Sequence, residues 1–134
     1  MKEKQPKQRR MESGKAKGAV GADTLAKLKT LSLVGTKVSD LGLSRLRHLS
    51  MLEQLWLNNT KITDAGLIHL KGLTKLFRLD LRGTSITDAS SKTLSKMPSL
   101  HELNLPDQVG YRTIEEIKRN LPRACTITWK GKNY

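Results

Sequence analysis

Leucines recur along this chain with a period of 24 residues. Blocks beginning at Leu28, Leu52, Leu76 and Leu100 carry leucine at their first, fourth and sixth positions in every copy, giving Leu31 and Leu33, Leu55 and Leu57, Leu79 and Leu81, and Leu103 and Leu105 after each opening residue. The last two of each set alternate with polar neighbours, the two-residue period of a strand with one buried face. Later in each block the apolar spacing changes to three, as in Leu43, Leu46 and Leu49 or Leu67, Leu70 and Leu73, which lines one face of a short helix. Each block therefore predicts one strand followed by one short helix. A unit this small buries its apolar face only by stacking on copies of itself.

Ser39-Asp40, Thr63-Asp64 and Thr87-Asp88 stand just before the predicted helices, where a side-chain oxygen accepts from the unpaired backbone donors of the first turn. Gly35, Asn59 and Gly83 lie between strand and helix; these residue types tolerate positive φ and mark where the chain leaves the strand. The pattern LxxLxLxxT, followed by (I/V)(T/S)D and a leucine-spaced helix, resembles the leucine-rich repeat, most closely the bacterial ITDAGL-type repeats related to the cysteine-containing subclass. The resemblance covers residues 28 to 130, and ITDAG at 62 to 66 is its cleanest copy. It implies an α/β solenoid, a leucine-rich-repeat arc with a parallel β-sheet on the concave face and short helices on the convex side. Where the family often uses Asn or Cys to bond the backbones of successive turns, this chain has Thr36, Thr60 and Thr84, whose hydroxyls donate and accept.

The fourth block departs from the pattern. Gln108 replaces the threonine, Gly110 the buried Val or Ile, and Ile114 and Ile117 fall one position out of phase before Leu121 regains it. A fifth, partial block offers Ile127 and Trp129 at the inward strand positions, and Trp129 is expected to seal the last apolar layer. The organisation read from the sequence is a basic disordered tail over 1–17, an N-terminal half-repeat cap over 18–27 with Ala19, Ala22 and Leu25 in register with the helix leucines, four 24-residue repeats over 28–123, and a C-terminal strand and cap over 124–134. The tail holds seven basic residues, two acids and almost nothing apolar, so burial cannot offset the entropy of ordering it.

Composition narrows the function. With 37% hydrophobic but only 4% aromatic residues in 134, the core is aliphatic and a deep cofactor cleft is not expected. A single cysteine, Cys125, excludes an intrachain disulfide and fits a reducing compartment. No apolar run approaches the roughly 18 residues of a membrane span and no secretory segment is seen, so a cytoplasmic protein is expected. The Asn58-Asn59-Thr60 sequon is accordingly read as silent. Ser13-Gly14-Lys15 lacks the upstream glycine and strand of a phosphate loop, and His101-Glu102 lacks the second histidine of a zinc-protease helix. His48, His69 and His101 occupy different block positions. The chain is thus read as non-enzymatic and monomeric, with no metal and no cofactor.

Binding is the remaining class. Outward positions on the strands are Thr30, Ser32 and Val34; Gln54, Trp56 and Asn58; Arg78, Asp80 and Arg82; Glu102, Asn104 and Pro106; and Thr126, Thr128 and Lys130. Trp56 among arginines has the composition of an interface anchor. A protein partner is therefore expected on Gln54, Trp56, Asn58, Arg78, Asp80, Arg82, Glu102 and Asn104. The net charge of +13 supports an alternative: electrostatic binding of nucleic acid or anionic membrane through the tail (Lys7, Arg9, Arg10) and a convex ridge of Arg45, Arg47, Lys71, Lys96, Lys118 and Arg119, with Lys92 beside it. A third class is a rigid subunit of a larger assembly.

Overall fold

The computed structural model describes residues 25–134; the basic tail and all but the last three residues of the expected N-terminal cap lie outside that range. Six strands form one open sheet in chain order: β1 Thr30–Ser32, β2 Gln54–Trp56, β3 Arg78–Asp80, β4 Glu102–Leu105, β5 Thr126–Trp129 and β6 Lys132–Asn133. β1 to β5 are parallel, and their register places Thr30, Gln54, Arg78, Glu102 and Thr126 in one lateral row. Block-equivalent residues thus stand side by side. The other side of this α/β solenoid is built from α1 Asp40–Leu43, α2 Asp64–Leu67, α3 Ser91–Leu94 and α4 Tyr111–Asn120.

The first three helices are single turns continued or preceded by 3₁₀ turns at Ser44–His48, Ile68–Leu70 and Asp88–Ser90. The leucine spacing explains this, because residues three apart eclipse in a 3₁₀ turn. Leu67, Leu70 and Leu73 all face inward and are at most 1% exposed. The strand leucines Leu55, Leu57, Leu79, Leu81 and Leu103 meet them from the sheet side at 0% exposure.

Successive blocks are joined through the aspartates that open their helices. Asp40 Oδ1 accepts from the Thr63 backbone N–H at 2.8 Å and its Oδ2 from the Thr63 hydroxyl at 2.6 Å. Asp64 takes the Thr87 N–H at 2.8 Å and the Thr87 hydroxyl in the same way. Thr63 and Thr87 in turn accept from Ala65 and Ala89 N–H, both at 3.3 Å, and so cap their own helices. Sequence reasoning assigned capping to the whole Ser/Thr-Asp pair. The structure corrects this: Thr caps, Asp reaches across to the next block, and Ser39 makes no side-chain cap. Gly66 follows from the same contact, since a Cβ there would lie 2.3 Å from Asp40 Oδ1 and 3.1 Å from Leu43 Cδ1.

The threonine ladder is also corrected. Thr36, Thr60 and Thr84 hydroxyls donate to the carbonyls of Leu33, Leu57 and Leu81 at 2.8, 2.6 and 2.6 Å, closing their own turns rather than bridging neighbours. Gly35, Asn59 and Gly83 do adopt φ of 70°, 60° and 71°. In the fourth block Gln108 makes the bridge instead, its Nε2 donating to Thr84 and Ile86 carbonyls at 2.8 and 2.7 Å. The loop there is one residue shorter. Asp88 Oδ1 meets Gly110 N–H at a separation of 22 residues, against 23 in the two earlier blocks, and the Thr113 hydroxyl supplies the second bond at 2.7 Å. Val109, buried at 1%, fills the place that Gly110 leaves empty. The ten-residue α4 then brings Leu121 back into phase.

At the C-terminal end the chain turns back through Lys130 and Gly131, at φ of 52° and 76°, the two left-handed positions of a tight hairpin. β6 pairs antiparallel with β5. Trp129, 7% exposed, closes the last layer together with Tyr134 and Tyr111, whose rings lie 5.7 and 6.3 Å from it. Lys130 Nζ sits 4.7 Å from the Trp129 ring centroid. Among the described residues no helix is long and apolar enough to cross a membrane.

Helix propensity alone favours alanine over glycine by about 1 kcal/mol, yet Gly66→Ala is expected to destabilise the fold by about 1–3 kcal/mol through overpacking. Gly72→Ala, where a Cβ meets nothing within 4 Å, should stay within about ±0.5 kcal/mol or gain slightly. In an Asp40→Ala background the Gly66→Ala loss should fall by at least half. Urea melts of the four variants measure the cycle, and an unchanged loss in that background rejects the Asp40 contact as its cause. Leu55→Ala should cost about 2–5 kcal/mol by cavity formation, far more than its neighbour Gln54→Ala.

Candidate functional site

The sheet face carries two lateral rows set by strand register. The first is Thr30, Gln54, Arg78, Glu102 and Thr126; the second is Ser32, Trp56, Asp80, Asn104 and Thr128. In the first, Arg78 bridges three strands. Its Nε and Nη2 donate to both Glu102 carboxylate oxygens at 2.6 and 2.8 Å, and its Nη1 to Gln54 Oε1 at 2.9 Å. A bidentate pair of this kind is geometrically strict. The hydrogen bond to Arg78 holds the Glu102 carboxyl below its usual range, against the desolvation that opposes it, and the same bond raises Arg78.

Asp80 differs from its expected place on the open face. It is 1% exposed, because Arg82 folds over it: Arg82 Nε donates to Asp80 Oδ1 at 2.9 Å, Nη2 to Oδ2, and the Arg82 backbone N–H to Oδ1 at 3.1 Å. Its acceptors are consumed locally, and the bond raises the Arg82 guanidinium above its ordinary value. Two further outward assignments are corrected. Pro106 is buried, and Lys130 belongs to the hairpin turn rather than to β5. With Lys130 removed, the arginines and acids of the face pair one to one, so its charge is balanced. The accessible part of the face includes the half-buried Trp56 between Ser32 and Asp80, the half-buried Gln54, Asn58 and Asn104, and the exposed Thr30, Ser32, Thr126 and Val34, the last at 43%. Asn58 Oδ1 is buried without a hydrogen-bond partner, and the Thr60 hydroxyl is committed to Leu57, so the sequon is built into the turn.

On the helix side Arg45, Arg47, Lys71, Lys92, Lys96 and Arg119 are exposed, whereas Lys118 is half-buried with Nζ 3.5 Å from the Cys125 carbonyl. Lys7, Arg9 and Arg10 lie outside the described residues. Ion pairs among the described residues join Lys29 to Glu53, Arg78 to Glu102 and Arg82 to Asp80; the ridge cations are in none of them. No three His, Cys, Asp or Glu among the described residues converge as a metal site. Cys125 is buried at 2%, and burial pushes its thiol up to about 11, the environment of an inert structural thiol.

Sequence reasoning missed two structural networks that shape this surface. The Asp40, Asp64 and Asp88 bonds were signalled by an aspartate repeating at 24 residues, and the Arg78–Glu102 rivet by opposite charges at block-equivalent strand positions. Both signals require knowing that such positions are lateral neighbours.

Comparison with known proteins supports the fold. The chain is similar to the crystal structure of internalin C2 from Listeria monocytogenes, with a TM-score of 0.58 and 21% identity over 84% of this chain. It spans 56% of that protein's resolved chain. No family model and no curated protein matches it. The architecture is that of a leucine-rich-repeat solenoid.

Two measurements test the site chemistry. Because the folded value of Glu102 is depressed, the pair's contribution is present above the ordinary carboxylate range and is lost as pH falls through the folded value. Carboxyl carbon NMR should show Glu102 titrating below its ordinary value of about 4.3, and Arg78→Ala should restore it. Cys125 should react with a disulfide reagent at pH 8 about two orders of magnitude more slowly in the native than in the urea-unfolded chain. Equal rates would place the thiol at the surface.

Proposed function

We propose that the chain is a non-enzymatic protein-interaction module of the bacterial ITDAGL-type leucine-rich-repeat class, working as a cytoplasmic monomer without cofactor. Its contact surface is the sheet face with the strand-exit loops. The observation that carries this reading is Trp56. It stands half-buried in the second strand row, part of its ring open to solvent, while Arg78 and Arg82 nearby are already engaged by carboxylates. A balanced, prearranged polar surround and one large ring make an interface anchor, because the ring loses water on binding and few side chains must be ordered.

The face alone is small. Five strands about 4.8 Å apart, each presenting a few outward residues, give on the order of 300 Å², less than the roughly 800 Å² per partner of a standard interface. Val34, Asn58 and Arg82 at the strand exits extend the contact along the loop edge. Arg82 serves in two ways, its side chain being 57% exposed while its guanidinium covers Asp80.

An affinity pull-down with nuclease treatment supplies the partner, and titration calorimetry then measures it. Trp56→Ala should weaken binding by about 2 kcal/mol or more, roughly 30-fold, and leave the urea midpoint nearly unchanged. The wild-type affinity should change little between 50 and 200 mM salt, since apolar contacts are not screened. Unchanged affinity with lost stability would make Trp56 a core residue and remove the centre of this proposal.

A further inference from the structure

The segments that return from the first three helices to the next strand share one construction. Backbone N–H groups of Leu49, Leu73 and Met97 donate to the carbonyls of Leu46, Leu70 and Leu94, and those of Leu52, Leu76 and Leu100 donate to Leu49, Leu73 and Met97. The buried apolar pegs Leu49, Leu73, Met97 and Leu121 fix each leg against the core and turn the residues between them outward. Strand register then stacks four block-equivalent legs, 47–51, 71–75, 95–99 and 119–123, along one edge of the solenoid, the first and last including the closing two residues of the preceding helical turn. Arg47, Lys71, Lys75, Lys96, Arg119 and Arg123 project from it, all exposed. None of the four legs contains an acid.

Charge is therefore divided between the two edges. The helix-opening Asp40, Asp64 and Asp88, together with Asp107, occupy the strand-exit edge, whereas the return legs themselves carry cations only, with Glu115 and Glu116 of α4 close to Arg119. Short helices favour this division, acids at their starts and bases at their ends. Among the described residues none of the six return-edge cations is in an ion pair, and Glu53, at the start of the neighbouring strand, is held by Lys29 at 4.0 Å. Blocks about 5 Å apart at the sheet place these legs in one row.

We propose that this return edge is a docking site for the phosphate backbone of a duplex nucleic acid. It is a surface separate from the sheet face. A row of six exposed cations, with Glu53 on its sheet side and Glu115 and Glu116 lining one depression with Arg119, stays net positive and fits a rod-like polyanion, whose charge lies in lines. The return legs hold none of the large exposed apolar residues, which are Leu25, Val34, Leu41, Ile68 and Tyr111 among the described residues. Insertion into a bilayer interface lacks its apolar wedge there, and stacking on single strands lacks its aromatic platform. Contacts of this kind position a protein on a duplex without reading bases.

Fluorescence anisotropy of the full chain with a labelled 20-base-pair duplex of random sequence tests this. With six contacts log affinity should fall against log salt with a slope of about −5 or steeper, a loss of about 10³ between 50 and 200 mM. Joint replacement of Lys71, Lys96 and Arg119 by Gln should flatten the slope by about 2.7, at about 0.9 per lost contact. The same replacement of Lys37, Lys61 and Lys132, exposed cations off the return legs, removes equal charge and should change it by less than 1. All six positions are exposed, and circular dichroism melts check that both variants fold alike. Equal flattening by the two variants would show diffuse attraction to net charge and overturn the proposal. So would duplex binding that vanishes on deletion of residues 1–17 but ignores the return-edge variant. Loss of phosphatidylserine-vesicle binding in that variant, with duplex binding unaffected, would overturn it in favour of a membrane surface.

Discussion

Each helix-opening aspartate reaches out of its own block to hold the first turn of the next. Asp40, Asp64 and Asp88 each bind a backbone N–H and a threonine hydroxyl one block on. Hydrogen bonds to a charged group contribute more than neutral ones, about 1.5–3 kcal/mol each, and here they act where a single-turn helix is weakest. Helices of four residues have no independent stability. They persist because their first turns are tied sideways and their leucines pack on the strands. Gly66 leaves room for the neighbouring carboxylate, and in the fourth block Thr113 supplies the hydroxyl that Thr63 and Thr87 give to the aspartate in the earlier blocks.

Period, strand phase and the inward leucines were legible from sequence because the core is one-dimensional: each block sees only its neighbours, so spacing suffices to place a residue inside. The positive-φ residues were legible for the same local reason. Side-chain direction within the polar positions was not. Thr36, Thr60 and Thr84 had hydroxyls free to bond either their own turn or the next, and the geometry of the turn decides for the former. Asp80 was counted as an open contact because strand alternation points it outward, yet a guanidinium two residues along the same chain covers it. Lys130 followed the alternation too, until the left-handed turn with Gly131 ended the strand.

The consequence for recognition is a sheet face that is already internally organised. Arg78 spans Gln54 and Glu102, Arg82 holds Asp80, and the polar atoms that could otherwise grip many partners are committed to one another. On the proposed reading, a partner at this face is selected by shape around Trp56 rather than by long-range charge. The basic character of the chain is expressed elsewhere, on surfaces where the acids that stabilise the fold do not reach.

The hairpin at the far end sets a rule for how a chain of this design can lengthen. β6 runs against the other five strands and takes up the free edge of β5, while Trp129, Tyr134 and Tyr111 cover the layer on which another block's leucines would have to stack. A 24-residue insertion after Tyr134 has no parallel edge to join. The same insertion between two existing blocks inherits an aspartate from the block before it and supplies one to the block after it. Duplication of an internal block therefore keeps both the lateral aspartate bonds and the aromatic cover over β5.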